Sequence, residues 1–298
     1  MALDAFVRKH FGKQHATKLA NIRRGGDSNS KGSSFESYYA AAKVCEIAAK
    51  HEDLDNYVIS SQEMAFVDDL CVRSSIEDHK DNFQAKNSSG AAASWDAEME
   101  ERFRMQIEID AKFHNARSSR QVLLVSCPDM QASNDEKIPE DLKKYCFSEF
   151  FPYRAQSTQV IYASTCLRDN LKAIIKDPDD LQAIDTAFRV VISAWVSDDK
   201  ARSVGDILGQ AKALCKPNLF RDEVPERPGI PSWLHELCMT FPKLDARVEF
   251  GTFKVSYNGF EVNLGSNPDQ PDTEVLKGLS SVGEAFNLLA KQIHKELN

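Results

Sequence analysis

Hydrophobic and polar positions alternate in different rhythms along this chain, and the changes of rhythm predict its elements. Leu3, Phe6, Val7, Phe11 and Leu19 recur at helical spacing near the start. The glycine- and serine-rich stretch Gly25–Ser34 then predicts a flexible link. SFESYYAAAKVCEIAAK, ending at Lys50, predicts a helix. From Tyr57 to Lys86, runs of β-branched and aromatic residues broken by polar turns predict three short strands. A helix follows over Trp95–Phe113, with Met99, Phe103, Ile107 and Ile109 among many charges, and then a strand over Val122–Ser126. After a polar stretch punctuated by Pro128 and Pro139, the pattern turns helical over residues 158–175, 180–196 and 207–214. Four prolines between Pro217 and Pro231 predict a rigid loop. Apolar and polar residues alternate around Asn258-Gly259, the strongest short hairpin signal. An amphipathic helix over Thr273–Asn298 ends the chain. The expected layout is a basic N-terminal helix and linker over residues 1–30, an α/β domain over 31–152, and a mainly helical region with a hairpin over 153–298.

The three strands carry charge where a core strand has little reason to. Glu63 follows the first, Asp68 and Asp69 precede the second, and Gln84 and Lys86 end the third. Burying unpaired charge is costly, so these groups either face water or gather around something that needs them. Residues i and i+2 of a strand share a face, so Gln84 and Lys86 project together. If the strands are neighbours, Glu63 and one aspartate converge on that pair. Carboxylate and amide oxygens are hard ligands suited to Mg²⁺, and Mn²⁺ takes the same donors. A lysine beside the metal favours a hydroxide, while the metal offsets charge building on a phosphate.

Glu63, then Asp68-Asp69, then Gln84-x-Lys86 resembles the PD-(D/E)xK, restriction-endonuclease-like nucleases. Within that superfamily it looks most like the DNA-degrading effectors of bacterial anti-phage defence systems of the CBASS and Lamassu type. Gly32-x-x-Phe35-Glu36 opens a helix as the family's first core helix does, and the predicted order is the family's: helix, three strands, helix, strand. The resemblance covers roughly residues 30 to 150. It implies a mixed sheet flanked by helices, with Glu63, Asp69 and Gln84 as metal ligands and Lys86 beside the attacking water. Asp69 is preferred because the family's acid directly precedes the apolar strand residues; Asp68 then faces the other way. Glu36 is a secondary candidate, since an acid on this helix can help order the metal. The chain departs from the family in two ways: Gln84 removes one negative charge, and the adjacent aspartates leave the register open.

A net charge of -8 argues against a uniformly basic nucleic-acid coat but not against a local basic surface. Residues 1–24 hold such a surface, with Arg8, Lys9, Lys13, Lys18, Arg23 and Arg24 against Asp4 alone. Lys112, His114, Arg117 and Arg120 form another, placed to touch a DNA backbone or simply to face water. No apolar run reaches the ~18 residues of a membrane span, and the first residues lack a signal peptide's long apolar region. The seven cysteines form no C-x-x-C pair, which excludes a zinc knuckle and a disulfide scaffold and points to the cytoplasm.

The expected function is an Mg²⁺-dependent endonuclease acting on double-stranded DNA. The resemblance also implies oligomerisation or partner subunits, such as an ATPase or sensor, because no pattern of a large cyclic-oligonucleotide sensor follows the nuclease region. Two alternatives stand beside it: a non-catalytic nuclease fold retained for DNA binding or assembly, and an enzyme acting on RNA.

Overall fold

A computed structural model describes residues 3–29, 34–88, 90, 93–198, 200–221, 230–241, 243–249, 252–265 and 268–293. The chain divides into two compact units, Met1–Val224 and Pro225–Asn298.

The first unit is built on a six-stranded mixed sheet. Helices α1 (Leu3–His10), α2 (Lys13–Asn29) and α3 (Ser34–Lys50) lead into β1 (Tyr57–Ser60), β2 (Leu70–Ser74) and β3 (His79–Lys86), an antiparallel meander. Helix α4 (Ala97–Lys112) then carries the chain to β4 (Ser118–Val125), which lies parallel to β3. Helix α5 (Pro128–Lys137) leads to β5 (Cys146–Phe150), parallel to β4. Helices α6 (Ser157–Ala163), α7 (Thr165–Ile174) and α8 (Leu181–Ser197) follow, then β6 (Arg202–Ser203) and α9 (Val204–Leu214). The strand order is β5-β4-β3-β2-β1-β6. Parallel neighbours need a long crossover, and α4 and α5 supply it.

Alternation along the strands separates two chemistries. One face carries Leu70, Phe83, Val122 and Leu124, which join Tyr39, Val44 and Ile47 of α3 in one core. The opposite face carries Leu123 and Val125, packed with Trp95, Met99 and Phe103. Asp96 caps α4, its carboxylate accepting from Met99 N at 2.8 Å. Phe6 and Val7 of α1 and Leu19 of α2 are buried with Phe66, Met105 and Ile109. The apolar stripe at the start of the chain is therefore core, and helix α2 runs through Gly25 and Gly26, where a flexible link was expected. Residues 30–33 of that link lie outside the described residues.

The expected boundary at residue 153 gives way to one at Val224–Pro225. The reason is packing: Val160, Leu167, Leu171, Phe188, Trp195 and Ile207, on α6 to α9, share a single core with α3 and the sheet. The second unit has its own sheet, β7 (Asp245–Glu249), β8 (Thr252–Tyr257) and β9 (Phe260–Asn263), all antiparallel. Asn258 (φ 48°) and Gly259 (φ 81°) turn β8 into β9, both in the left-handed region that a type I′ hairpin requires. Helices α10 (Ser232–Thr240), α11 (Thr273–Lys277) and α12 (Val282–Ile293) accompany it. Trp233, Leu234, Val255, Val262 and Leu289 form its core. The helix expected over Thr273–Asn298 is thus two helices with a break after Lys277, and residues 294–298 lie outside the described residues.

Candidate active site

Register brings the start of β2 against the end of β3. Leu70 pairs with Phe83, so the position before Leu70 falls level with Gln84. Asp69 uses that position: its Oδ2 accepts from the Gln84 side-chain amide and from Ala85 N at 2.7 Å. Lys86 lies two residues beyond Gln84 on the same face. It is half-buried, and among the described residues it forms no ion pair within 4.0 Å. Its charge still acts on both aspartates. Asp69, Gln84 and Lys86 therefore come together.

Asp68 joins them. Residues 61–69 form an irregular loop rather than a strand end, so strand alternation does not turn Asp68 away, as the sequence pattern suggested. Its Oδ1 accepts from Nη2 of Arg102 on α4 at 3.2 Å. The same Nη2 donates to Gln84 Oε1 at 2.5 Å, and Arg102 Nε donates to Phe66 O at 2.7 Å. Gln84 is thus gripped at both ends, its amide nitrogen by Asp69 and its oxygen by Arg102.

Glu63 is held elsewhere. Its carboxylate accepts from Ser60 Oγ at 2.5 Å and from Arg73. Ser60 is level with Cys71, and Arg73 lies two residues beyond Cys71 on β2. These partners stand two and four residues along β2 from Asp69, about 7 and 13 Å at strand rise. Glu36 is in the first turn of α3, over the face opposite Gln84 and Lys86. Of the basic cluster at Lys112–Arg120, Arg120 lies on β4 and is committed to Asp81 through bonds of 2.6 and 2.7 Å, and Lys112 pairs with Glu108.

Burial first, and then the neighbouring Asp69, push the Asp68 carboxyl up to about 7 against the opposing charges of Arg102 and Lys86. Burial also raises Asp69, against the Ala85 N–H, Lys86, Arg102 and the Gln84 amide. Two carboxylates that resist ionising together form a place where a hard cation is favoured. Among the described residues no group of three or more His, Cys, Asp or Glu side chains gathers as metal ligands. The donor set is two carboxylates with an amide oxygen beside them. That fits Mg²⁺, which usually keeps several waters and takes one or two protein carboxylates.

Arg102 carried no signal as a single residue of an amphipathic helix. Its signal lies in spacing: Arg102, Gln106 and Asp110 recur every four residues on α4, next to its buried residues Phe103, Met105 and Ile109. They form a polar stripe on a face that is otherwise core. Gln106 Oε1 accepts from Phe66 N at 2.8 Å. Asp110 accepts from Lys80 at 2.7 Å, Asn82 at 2.8 Å, Gln106 at 3.0 Å and Gln121 at 3.0 Å. Helix α4 thereby ties both the loop and the middle of the sheet to itself.

No family model, no curated protein and no solved structure matches this chain.

Proposed function

We propose that this chain is a metal-dependent DNA endonuclease with a restriction-endonuclease-like fold, serving as the effector of a bacterial anti-phage defence system. The observation that carries this reading is the meeting of Asp69, Gln84 and Lys86 on one face where β2 begins and β3 ends. Support also comes from the element order α3-β1-β2-β3-α4-β4, in which an antiparallel meander passes through a helix into a parallel strand. The defence role, the DNA substrate and the partner subunits rest on the resemblance of residues 30–150 to that family.

In this reading Asp68 and Asp69 hold an Mg²⁺ ion, or Mn²⁺ in its place. When bound, the ion offsets the charge that develops on a scissile phosphate. The chain's own residues do the rest. The Ala85 N–H fixes one oxygen of Asp69, leaving the carboxylate oriented by backbone rather than by a mobile side chain. Gln84 braces Asp69 through its amide nitrogen. Lys86, which forms no ion pair among the described residues, would favour the deprotonated form of a water beside it and stabilise negative charge on the phosphate. Glu63, bonded to Ser60 and Arg73, anchors the start of the 61–69 loop.

A second reading keeps the fold and drops the chemistry: a DNA-binding or assembly subunit. The capture of Gln84 Oε1 by Arg102 and of Glu63 by Arg73 favours it. Incubation of plasmid DNA with the purified chain and Mg²⁺, alone and with the products of neighbouring genes, separates the two. Mg²⁺-dependent degradation in either mixture supports the enzyme. DNA retained intact but bound in both supports the assembly subunit.

A further inference from the structure

We propose that Arg102 is a built-in counter-ion that competes with the divalent cation for Asp68 and Gln84, so that the site takes up metal only as Arg102 withdraws. The proposal rests on the nuclease reading above and assigns that site its regulation.

The argument is geometric. A divalent cation shared by Asp68, Asp69 and Gln84 needs oxygen lone pairs that point inward between the loop and the end of β3. The Arg102 guanidinium occupies that position. Its Nη2 bonds Gln84 Oε1 at 2.5 Å and Asp68 Oδ1 at 3.2 Å. The side chains of Arg102 and Asp68 are 13% and 7% exposed, so water screens the pair little. A guanidinium and a dication cannot share these oxygens, because two like charges at such range in a buried site repel strongly. Among the described residues Lys86 makes no ion pair with either aspartate, so Arg102 is the cation directly bonded to Asp68.

The same side chain has a second attachment that gives the exchange a consequence. Arg102 Nε holds the carbonyl of Phe66, two residues before Asp68. Gln106, one turn on, holds the Phe66 N–H at 2.8 Å. When Arg102 leaves, the loop keeps one tether to α4 and loses the other. Metal uptake is thereby linked to the freedom of residues 61–69. Linkage is reciprocal: whatever draws Arg102 away, including a DNA phosphate or a partner's carboxylate reaching α4, tightens metal binding, and metal binding releases Arg102.

The test is calorimetric titration of Mg²⁺ into the full chain, comparing wild type with Arg102→Gln and Arg102→Lys. Glutamine keeps a donor for Phe66 O but carries no charge; lysine keeps the charge. Competition predicts that Arg102→Gln binds Mg²⁺ roughly 10-fold more tightly, within the usual span of such couplings, and that Arg102→Lys stays near wild type. Equal or weaker binding in Arg102→Gln, with saturable uptake by the wild type, overturns the competition and leaves the metal site standing. No saturable uptake by either folded protein removes the metal-dependent reading itself. If Arg102→Gln does not fold, the wild type decides alone: the slowly exchanging Arg102 Nε–H signal in NMR should vanish as Mg²⁺ saturates, and its persistence at saturation contradicts the proposal.

Discussion

Asp68 and Asp69 are adjacent, Asp68 buried against Arg102 and Asp69 half-buried against Gln84 and the Ala85 N–H, and their chemistry follows from that crowding. The Asp68 carboxyl, raised to about 7 by burial and by Asp69, keeps its proton in the folded chain over a range where the unfolded chain has lost it. The unfolded residue titrates near 4. The folded state therefore binds the extra proton between about pH 4 and pH 7, and stability falls as pH rises through that window, then levels off. Asp68→Asn removes the fall. Relative to wild type, the variant should gain stability between pH 5 and pH 8, by at most about 3 kcal/mol, since only the two units from pH 5 to about 7 contribute; denaturant titrations at the two pH values measure it. The cation needs the ionised acid, so the Mg²⁺ concentration for half-saturation should drop as pH rises through about 7 in the wild type. Asp69→Ala should weaken Mg²⁺ binding, and excess Mg²⁺ should restore part of its activity.

Helix α4 is the element that fixes the site, and its inner stripe is the reason. Asp110 is fully buried and Lys80 is 6% exposed, and Asn82, Gln106 and Gln121 close the network around them. Asp110→Ala leaves a buried lysine without its charge partner, which typically costs about 3–5 kcal/mol; urea unfolding of the variant checks this, and a cost under 1 kcal/mol would contradict the role given to α4. The meander and the helix after it were legible because runs such as Tyr57–Ile59 and Leu70–Val72 are apolar, β-rich and bounded by turn residues. Strand β5 was not, since CFSEF is short and sits in a polar, proline-bearing stretch that reads as loop; parallel pairing with β4 makes it a strand. Helices α6 and α7 read as one because the apolar rhythm runs on, but Ser164 leaves the helix and caps α7, its Oγ accepting from Leu167 N at 3.2 Å. In the candidate site, alternation placed Gln84 and Lys86 on one face, and the family resemblance, not alternation, chose Asp69 to stand against them. Alternation misplaced Asp68, because it holds for strands and residues 61–69 are not one. It also drew Glu63 toward the cluster, where Arg73 and Ser60 hold it instead. Arg102 was hidden because one arginine on a charged helix resembles any solvated residue until its i+4 and i+8 neighbours are read with it.

The whole molecule separates a sheet-based unit from a smaller hairpin-bearing one, each with its own core. A chain ending at Val224 should unfold cooperatively and keep the rise in melting temperature that Mg²⁺ gives the full chain, as expected when a ligand binds the folded state. If the second unit serves association, that truncated chain should lose its partners in size-exclusion chromatography while keeping its metal; loss of cooperative unfolding would show that the two units depend on each other. No helix among the described residues is long and apolar enough to cross a membrane. The account turns on Lys86, whose position at the end of β3 contributes little to any core. Single-turnover cleavage of supercoiled plasmid with Mg²⁺ and the activating partners, comparing wild type with Lys86→Ala, tests it most directly. The account predicts a rate loss of about 10²–10³-fold, as for removal of one well-placed electrostatic stabiliser, with circular dichroism unchanged and Mg²⁺ still bound. Equal cleavage by the two proteins would contradict it.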